Sequence, residues 1–374
     1  MSIDRPLRVL HLTAASDAGG LSRYILDLCA AMHRHGHQVA VAGGRGAWHD
    51  RFASQPWQWI DLNFAGGPMG VLRAARQLER YLGDHPVDIL HTHYRRTTLT
   101  ARRVQKKIDL PILYTLHQPR ISLSAGKRWL SDFGDWAHVP SADARNWLIE
   151  DVKFPADRTC LIPHGIDPAR FPLRDAATRQ SARQSLHIPL DAQVAAFVGR
   201  LDVPKNADWM IDVAKAVANL IVLVAGDGPH AARLRRRAAR FGDRFRMLGE
   251  CDPLSVYQAA DALLSPSQRE GFSFVVAEAM SVGLPVLRTK TGGAAEMVLE
   301  GITGRTTPID RRAFAAAARE FFADPAALAK MGTAAAGHIR ANFTFDRQLT
   351  ATEALYRRVI EWSTQRKPRI VPAT

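Results

Sequence analysis

The 374-residue sequence is poor in cysteine, with 3 in all. Cys29, Cys160 and Cys251 lie far apart and in no C-x-x-C arrangement, which excludes a disulfide scaffold and a cysteine zinc site and fits a reducing compartment. No apolar run approaches the ~18 residues a membrane-spanning helix requires. The N-terminal MSIDRPLRVLHLTAAS lacks the basic stretch, long apolar run and small-residue cleavage site of a secretory signal. A cytoplasmic protein is therefore expected. Asp-x-Asp occurs nowhere, which argues against a divalent cation gripped by closely spaced carboxylates. Neither glycine-rich loop, at 17–22 or 226–229, is followed by the Lys-Ser/Thr of a P-loop.

What the chain does have is length, apolar content and positive charge. At roughly 100–200 residues per domain, 374 residues favour two domains, and 47% hydrophobic with 23% charged residues excludes wholesale disorder. Lys and Arg number 50 against 36 Asp and Glu, a net charge of +14, which invites a polyanion or an anionic membrane as partner. Residues 1–190 carry 25 basic and 17 acidic side chains, and residues 191–374 carry 25 and 19. No tail concentrates the excess, so charge alone names no partner.

The chain opens as a strand over 7–12, a small-residue loop over 13–20 and a helix over about 21–35, in which Tyr24, Ile25, Leu28 and Met32 recur at helical spacing. Strands at 38–42, 88–92, 112–116 and 158–163, with a helix around 97–107, continue a βα series. Periodicity weakens over 168–191, as in an inter-domain connection. A second series follows, with strands at 194–198, 221–225, 246–248, 262–265 and 285–289, a helical 311–340 and a last helix at 346–364. The closing RKPRIVPAT reads as a frayed tail. The expected architecture is α/β, with doubly wound Rossmann-like domains at 1–190 and 191–345 and the helix 346–364 crossing back onto the first. Such sheets bind ligands at the C-terminal ends of their strands, and two facing domains would put the site in the cleft between them.

The strongest local signal is residues 265–286, SPSQREGFSFVVAEAMSVGLPV. A strand ends near Ser265, a loop carries Glu270, a helix is expected from about Phe272, and Gly283 and Pro285 close it. Glu278 then lies about two turns into the helix, with its backbone on the order of 10 Å from that of Glu270. A retaining glycosidase holds its carboxylates ~5–5.5 Å apart, so two carboxylates gripping hydroxyls at the ends of an extended ligand fit better. The amides of Gly271, Phe272 and Ser273, with the helix dipole, would favour an anion between them. The residues alone equally allow two solvated surface charges.

Gly199-Arg200 follows a buried strand, and Lys205 comes five residues later. A planar guanidinium fork and a compact ammonium can together neutralise a diphosphate without a metal, although solvated surface charge is the plainer alternative. Gly19-Gly20 in the first loop can cradle phosphate through backbone amides or be an ordinary turn. His117 ends a buried strand, where it can bond a sugar or phosphate oxygen or act as acid or base. His91 and His93, and the trio His33, His35 and His37, look like metal ligands on paper. The pair caps a strand and the trio ends a helix with no nearby carboxylate cluster, so no metal is expected.

Together these segments resemble the family 4 glycosyltransferases. The likeness runs through Gly19-Gly20, Asp88-Ile-Leu-His-Thr-His93, Tyr114-Thr-Leu-His117, Leu161-Ile-Pro-His-Gly165-Ile-Asp167, Gly199-Arg200-Leu with Lys205, Val224-Ala-Gly226-Asp-Gly228-Pro229 and Glu270-x7-Glu278. The last block, in its Ser-Pro-Ser, Glu-Gly-Phe and Gly-x-Pro-Val context, is highly specific, while the others are weak alone. The resemblance implies a GT-B fold and a retaining, metal-independent transfer of a hexosyl unit from a UDP- or GDP-linked sugar to a glycan or lipid-linked acceptor, with no cofactor. It implies that Glu278 holds ribose hydroxyls, and that Glu270 with the amides of Gly271, Phe272 and Ser273 holds the donor sugar. Arg200, Lys205 and the Gly20 amide would stabilise the diphosphate, and His117 would orient the sugar. His164 stands where Asn is common, Asn206 where Gly often follows the Lys, and Ser273 where Gly is frequent.

The same fold hosts sugar-nucleotide epimerases, and the net charge keeps a polyanion- or membrane-surface binder without transferase activity as the other alternative. Arg95, Arg96, Arg102, Arg103, Lys106 and Lys107 form a basic run with no acid until Asp109, and Arg233, Arg235, Arg236, Arg237 and Arg240 form a second. Neither has interleaved aromatics for base stacking, so nucleic acid is not expected. The first run is expected to be either a solvated helix face or a peripheral contact with anionic lipid.

Overall fold

A computed structural model describes residues 5–17, 19–117 and 131–365. Ala18 of the first glycine loop and the tail at 366–374 lie outside the described residues. The chain forms two compact units, Met1–Ile162 with Gln348–Thr374, and Pro163–Arg347.

Unit 1 holds a seven-stranded sheet of β1 (Arg8–Thr13), β2 (Gln38–Gly43), β3 (Gln58–Asp61), β4 (Ile89–Thr92), β5 (Ile112–Thr115), β6 (Trp136–Val139) and β7 (Thr159–Leu161). Its order is β3-β2-β1-β4-β5-β6-β7, and every neighbouring pair is parallel. Unit 2 holds β8 (Val194–Val198), β9 (Ile221–Ala225), β10 (Phe245–Gly249), β11 (Ala262–Ser265), β12 (Val286–Thr289) and β13 (Gly304–Thr307). Their order is β10-β9-β8-β11-β12-β13, again all parallel. The central strands are buried on both faces, as continuous runs such as Ile221–Ala225 require. In each sheet the order reverses once, between β1 and β4 and between β8 and β11. Crevices at such reversals are where open α/β sheets bind ligands.

The division falls at Ile162/Pro163, not at the expected 190/191, because the segment after Pro163 is fastened to unit 2. Arg183, on helix Ala176–Ser185, is fully buried. Its guanidinium donates to both carboxylate oxygens of Asp261 at 3.0 Å and to the carbonyls of Ala259, Leu190 and Ala192. Ser281 donates to the Phe171 carbonyl at 2.8 Å. Weak periodicity at 168–191 reflects polar fastening, not a linker. The last helix, Phe345–Gln365, buries Leu349, Leu355, Tyr356, Val359 and Ile360, and Arg358 lies over the Trp136 ring at 4.6 Å. The expected helix at 311–340 is two, Arg311–Phe321 and Pro325–Asn342, each capped by an aspartate accepting from a backbone amide.

Candidate functional site

In unit 2 the loops after β8 and β11, the two strands flanking the reversal, carry Arg200 with Lys205 and Glu270. The Lys205 ammonium donates to Glu270 Oε1 at 2.6 Å, and the Glu270 side chain is only 9% exposed. Asn206 joins the two loops by donating to the Pro266 carbonyl at 2.9 Å and accepting from the Gln268 amide at 3.0 Å, while the Gln268 backbone N–H donates to Pro204. Asn206 has φ 51°, a left-handed conformation that Gly or Asn tolerates, so Asn here serves the same turn as Gly and adds a cross-link. Arg200 is 68% exposed, with its Nε 3.1 Å from Asp202.

The loop bearing Arg200 is pressed against the Gly226–Gly228 turn. Gly199 and Leu201 donate to Ala225 and Asp227, and a Cβ on Gly226, at φ 128°, would stand 2.0 Å from the Gly199 carbonyl. The glycines after β9 therefore make room for the Arg200 loop.

The helix after Glu270 runs Phe274–Val282 with Ser273 as its N-cap residue, two residues later than expected. Phe272 is held back by packing, its ring 5.3 Å from His164 and Phe274 and 6.1 Å from Phe343. Glu278 consequently lies one turn into the helix, not two. It accepts from the buried Tyr257 hydroxyl at 2.9 Å, and burial together with the Glu278 charge drives the Tyr257 phenol well above its ordinary pKa. Gly271, Phe272 and Ser273 are all buried, and His164 stacks on Phe274 at 5.5 Å, which accounts for a ring where Asn is common. Lys205 and Glu270 are thus brought together, whereas Glu278 has a separate partner.

Two contributors were missed from sequence. Tyr257 carries no motif. Arg288 is fully buried at the end of β12; it donates to Thr291 Oγ1 at 2.8 Å and to the Gly292 carbonyl at 3.2 Å. Burial lowers its pKa to about 10 against the opposing pull of Glu270 and Glu296. A charge directly after the apolar run 284–287, within a buried strand, is the signal that could have found it.

In unit 1 Gly19 precedes helix Gly20–Arg34 with φ 150° and nothing within 4 Å of a Cβ built on it, so its conformation, not crowding, requires glycine. The helix start carries no side-chain cap, which leaves backbone amides there for an acceptor. His117 follows β5, and its Nε2 lies 3.2 Å from His93 Nδ1. Burial, then the nearby His138, lowers its pKa to about 3, so it is neutral at pH 7. His91 and His93 meet His11 in a buried group whose ring nitrogens are close enough to hold an ion, a meeting concealed by a separation of 80 positions or more along the chain. His35 and His37 do have a carboxylate, from far along the chain: Glu353 Oε1 lies 3.0 and 3.1 Å from them.

The basic run is less free than it reads. On helix Arg95–Gln105, Arg102 is bound to Asp132 at 2.8 Å and Asp135 at 2.7 Å, and Arg95 donates to Ser131. Lys107 pairs with Glu79 at 2.7 Å. Absence of acids in sequence did not mean absence in space: Arg102 is a structural cation. Arg96, Arg103, Lys106 and Lys107 are exposed. In the second run Arg237 pairs with Asp208 at 3.1 Å. Among the described residues, no helix is long and apolar enough to cross a membrane.

The family model described as Glycosyltransferase Family 4 matches residues 18–170, and that described as Glycosyl transferases group 1 matches residues 192–324. A D-inositol 3-phosphate glycosyltransferase of Mycolicibacterium paratuberculosis is 28% identical across 94% of this chain and 88% of its own. Among solved structures, a glycosyltransferase of Rickettsia africae superposes with a TM-score of 0.83 at 17% identity, covering 95% of this chain and 99% of its own. Anabaena HepE in complex with UDP and glucose gives 0.80 at 20% identity, covering 93% and 98%. Matches to both halves, two parallel-sheet units of GT-B type and the Glu270-x7-Glu278 block in place after β11 lead to one assignment: the chain belongs to glycosyltransferase family 4 and is a glycosyltransferase.

Proposed function

We propose that the protein transfers a hexosyl unit from a nucleotide-diphosphate sugar to a glycan or lipid-linked acceptor, with retention and without a metal. The observation that carries this is the nearly buried Glu270 carboxylate, held by Lys205 at the sheet reversal with Glu278 on the following helix. HepE has been solved with UDP and with UDP-glucose, which favours UDP over GDP. Glu278 holds the ribose hydroxyls beside Tyr257, and Glu270 with the Gly271, Phe272 and Ser273 amides holds the sugar. Lys205 has three N–H donors and spends one on Glu270, so it can serve the diphosphate together with Arg200. Neutral His117 orients the sugar. These fixed donors offset the charge that grows on the leaving diphosphate. The sugar–diphosphate bond breaks while the acceptor oxygen bonds the same face of the anomeric carbon, and the acceptor proton passes to a diphosphate oxygen. The anomer of the product against that of the donor tests retention.

The deciding experiment is a thermal-shift panel of UDP, GDP, ADP and their sugar conjugates in EDTA. A ligand of the folded state adds about 2.7 kcal/mol at a hundredfold excess over its Kd. One nucleotide should raise the midpoint; no response to any of them sinks the reading. Glu278→Ala should abolish that shift, while Glu270→Ala should lose mainly the increment due to the sugar.

The exposed Arg96, Arg103, Lys106 and Lys107 suit a peripheral contact with an anionic leaflet on the cytoplasmic side, each basic group near such a surface being worth ~1 kcal/mol. Co-sedimentation should be stronger with phosphatidylserine than with phosphatidylcholine vesicles and should fall when these four become Ala. Equal binding to both removes the contact.

A further inference from the structure

In β12 a charge, Arg288, follows Val286 and Leu287, and all four residues of the strand are buried. The Arg288 side chain is fully enclosed, yet among the described residues it forms no ion pair. It donates to Thr291 Oγ1 at 2.8 Å, to the Gly292 carbonyl at 3.2 Å and to the Met297 sulfur at 3.7 Å. Its Nε–H meets no acceptor among the described residues. A cation buried on these terms is costly, and an apolar side chain would fill the strand without that cost. Departures of this kind concentrate where function uses them.

Both oxygens that Arg288 holds belong to the turn leaving β12. Thr291 and Gly292 lead into Gly293, left-handed at φ 73°, at the start of helix Ala294–Met297. That turn lies against the loop that carries Glu270. A Cβ built on Gly293 would stand 3.3 Å from the Gly271 carbonyl oxygen and 3.8 Å from Phe272 Cα, so Gly293 rests closely on the Gly271–Phe272 peptide. Thr289, next to Arg288, donates to the Ser267 carbonyl in the same loop. In a trans peptide the carbonyl and the following N–H point in opposite directions. A turn held against the Gly271 oxygen therefore also sets the direction of the Phe272 N–H.

The charge matters as well as the bonds. Burial lowers the Arg288 pKa to about 10, while the Glu270 and Glu296 charges pull it back up, so the guanidinium is charged at pH 7. The same attraction acts on Glu270, whose Oε1 is already held by Lys205 at 2.6 Å.

We infer that Arg288 is a positioning residue for the donor-sugar half of the site: it pins the turn at 291–293 against the Gly271–Phe272 peptide and supplies a second positive charge for Glu270. Amide and carboxylate are thereby kept in place for sugar hydroxyls, and the inference rests on the proposed reading for what those two groups bind. All the hydrogen bonds of Arg288 go to residues 291–297 and none to the helix bearing Glu278. Its loss should be felt by the sugar far more than by the nucleotide.

The test uses the full chain and has two readouts. Without ligand, Arg288→Met should speed amide hydrogen exchange over 268–276 and 290–296 and leave β8 unchanged as a control of folding. By calorimetry the same variant should bind UDP-glucose about tenfold or more weakly and UDP within about threefold of wild type, since a misplacement of about 1 Å can cost on the order of a hundredfold. Arg288→Lys, which keeps the charge and can reach one of the two oxygens, should regain part of the loss. Should Arg288→Met not fold, Thr291→Val keeps the charge, removes one acceptor and should show the same pattern in milder form. Equal weakening of both ligands, or wild-type exchange over 268–276, overturns the inference. A wild type that binds neither UDP nor UDP-glucose fails the donor reading instead; exchange then decides alone, faster exchange upholding Arg288 as the holder of the loop and unchanged exchange overturning it.

Discussion

At the scale of residues, Glu270 keeps a charge where a lone carboxylate would be expensive. Its side chain is almost closed off from water and its Oε1 partner is Lys205, itself 30% exposed. Removing one partner of such a pair leaves the other desolvated and uncompensated. Because Lys205 is partly solvated, the cost is discounted from the fully buried case to about 1–2 kcal/mol. Lys205→Met should lower stability by that amount in urea, and adding Glu270→Gln should recover part of it; equal stability of Lys205→Met and wild type would mean the pair is solvated in effect. The importance of both residues was legible from the Glu-x7-Glu block and the Gly-Arg…Lys spacing. Their bond to each other was not, since 65 residues separate them and no local pattern encodes a contact across β8 and β11. Tyr257 was hidden for the same reason: its hydroxyl meets Glu278 only once two helices are packed.

At the scale of elements, the loops matter more than the strands they follow. Asn206 combines a left-handed turn with a bond to Pro266. Ala at that position strains the turn and loses the bond, whereas Gly keeps the turn and loses only the bond. Asn206→Ala should therefore cost about 1–2 kcal/mol and weaken donor binding, with Asn206→Gly distinctly milder; thermal midpoints with and without nucleotide measure both, and an equal loss in the two variants would show the turn to be irrelevant. Buried strands were readable because both faces are apolar, as at Val194–Val198 and Ile221–Ala225. Two of the four edge strands were not. Gln58–Asp61 buries neither face fully and Gly304–Thr307 is mostly polar, so neither leaves an apolar run. Trp136–Val139 is central, but His138 interrupts it. The late start of helix Phe274–Val282 is a tertiary effect: aromatic packing of Phe272 outweighs its readiness to begin a helix.

At the scale of the molecule, unit 1 is a discontinuous piece of chain, with Met1–Ile162 completed by residues from Gln348 onward. Leu349, Leu355, Tyr356, Val359 and Ile360 are buried there. At ~1.5–3 kcal/mol for each large buried side chain, their loss removes on the order of 10 kcal/mol, comparable to a whole domain's stability. A chain ended at Arg347 should keep the calorimetric transition of unit 2 and lose that of unit 1; two intact transitions would show the helix to be dispensable. The excess of positive charge also takes on a different meaning here. Arg102, Arg183 and Arg288 are fastened inside the units by carboxylates or carbonyls, so part of the +14 is internal framework. The discontinuity has a consequence in time. A ribosome delivers every residue of Pro163–Arg347 before it delivers Tyr356, and at about 5–20 residues per second that delay is on the order of ten seconds or longer. Throughout it the nascent first sheet waits with an apolar face uncovered, so during synthesis unit 2 can finish folding first although it is translated second.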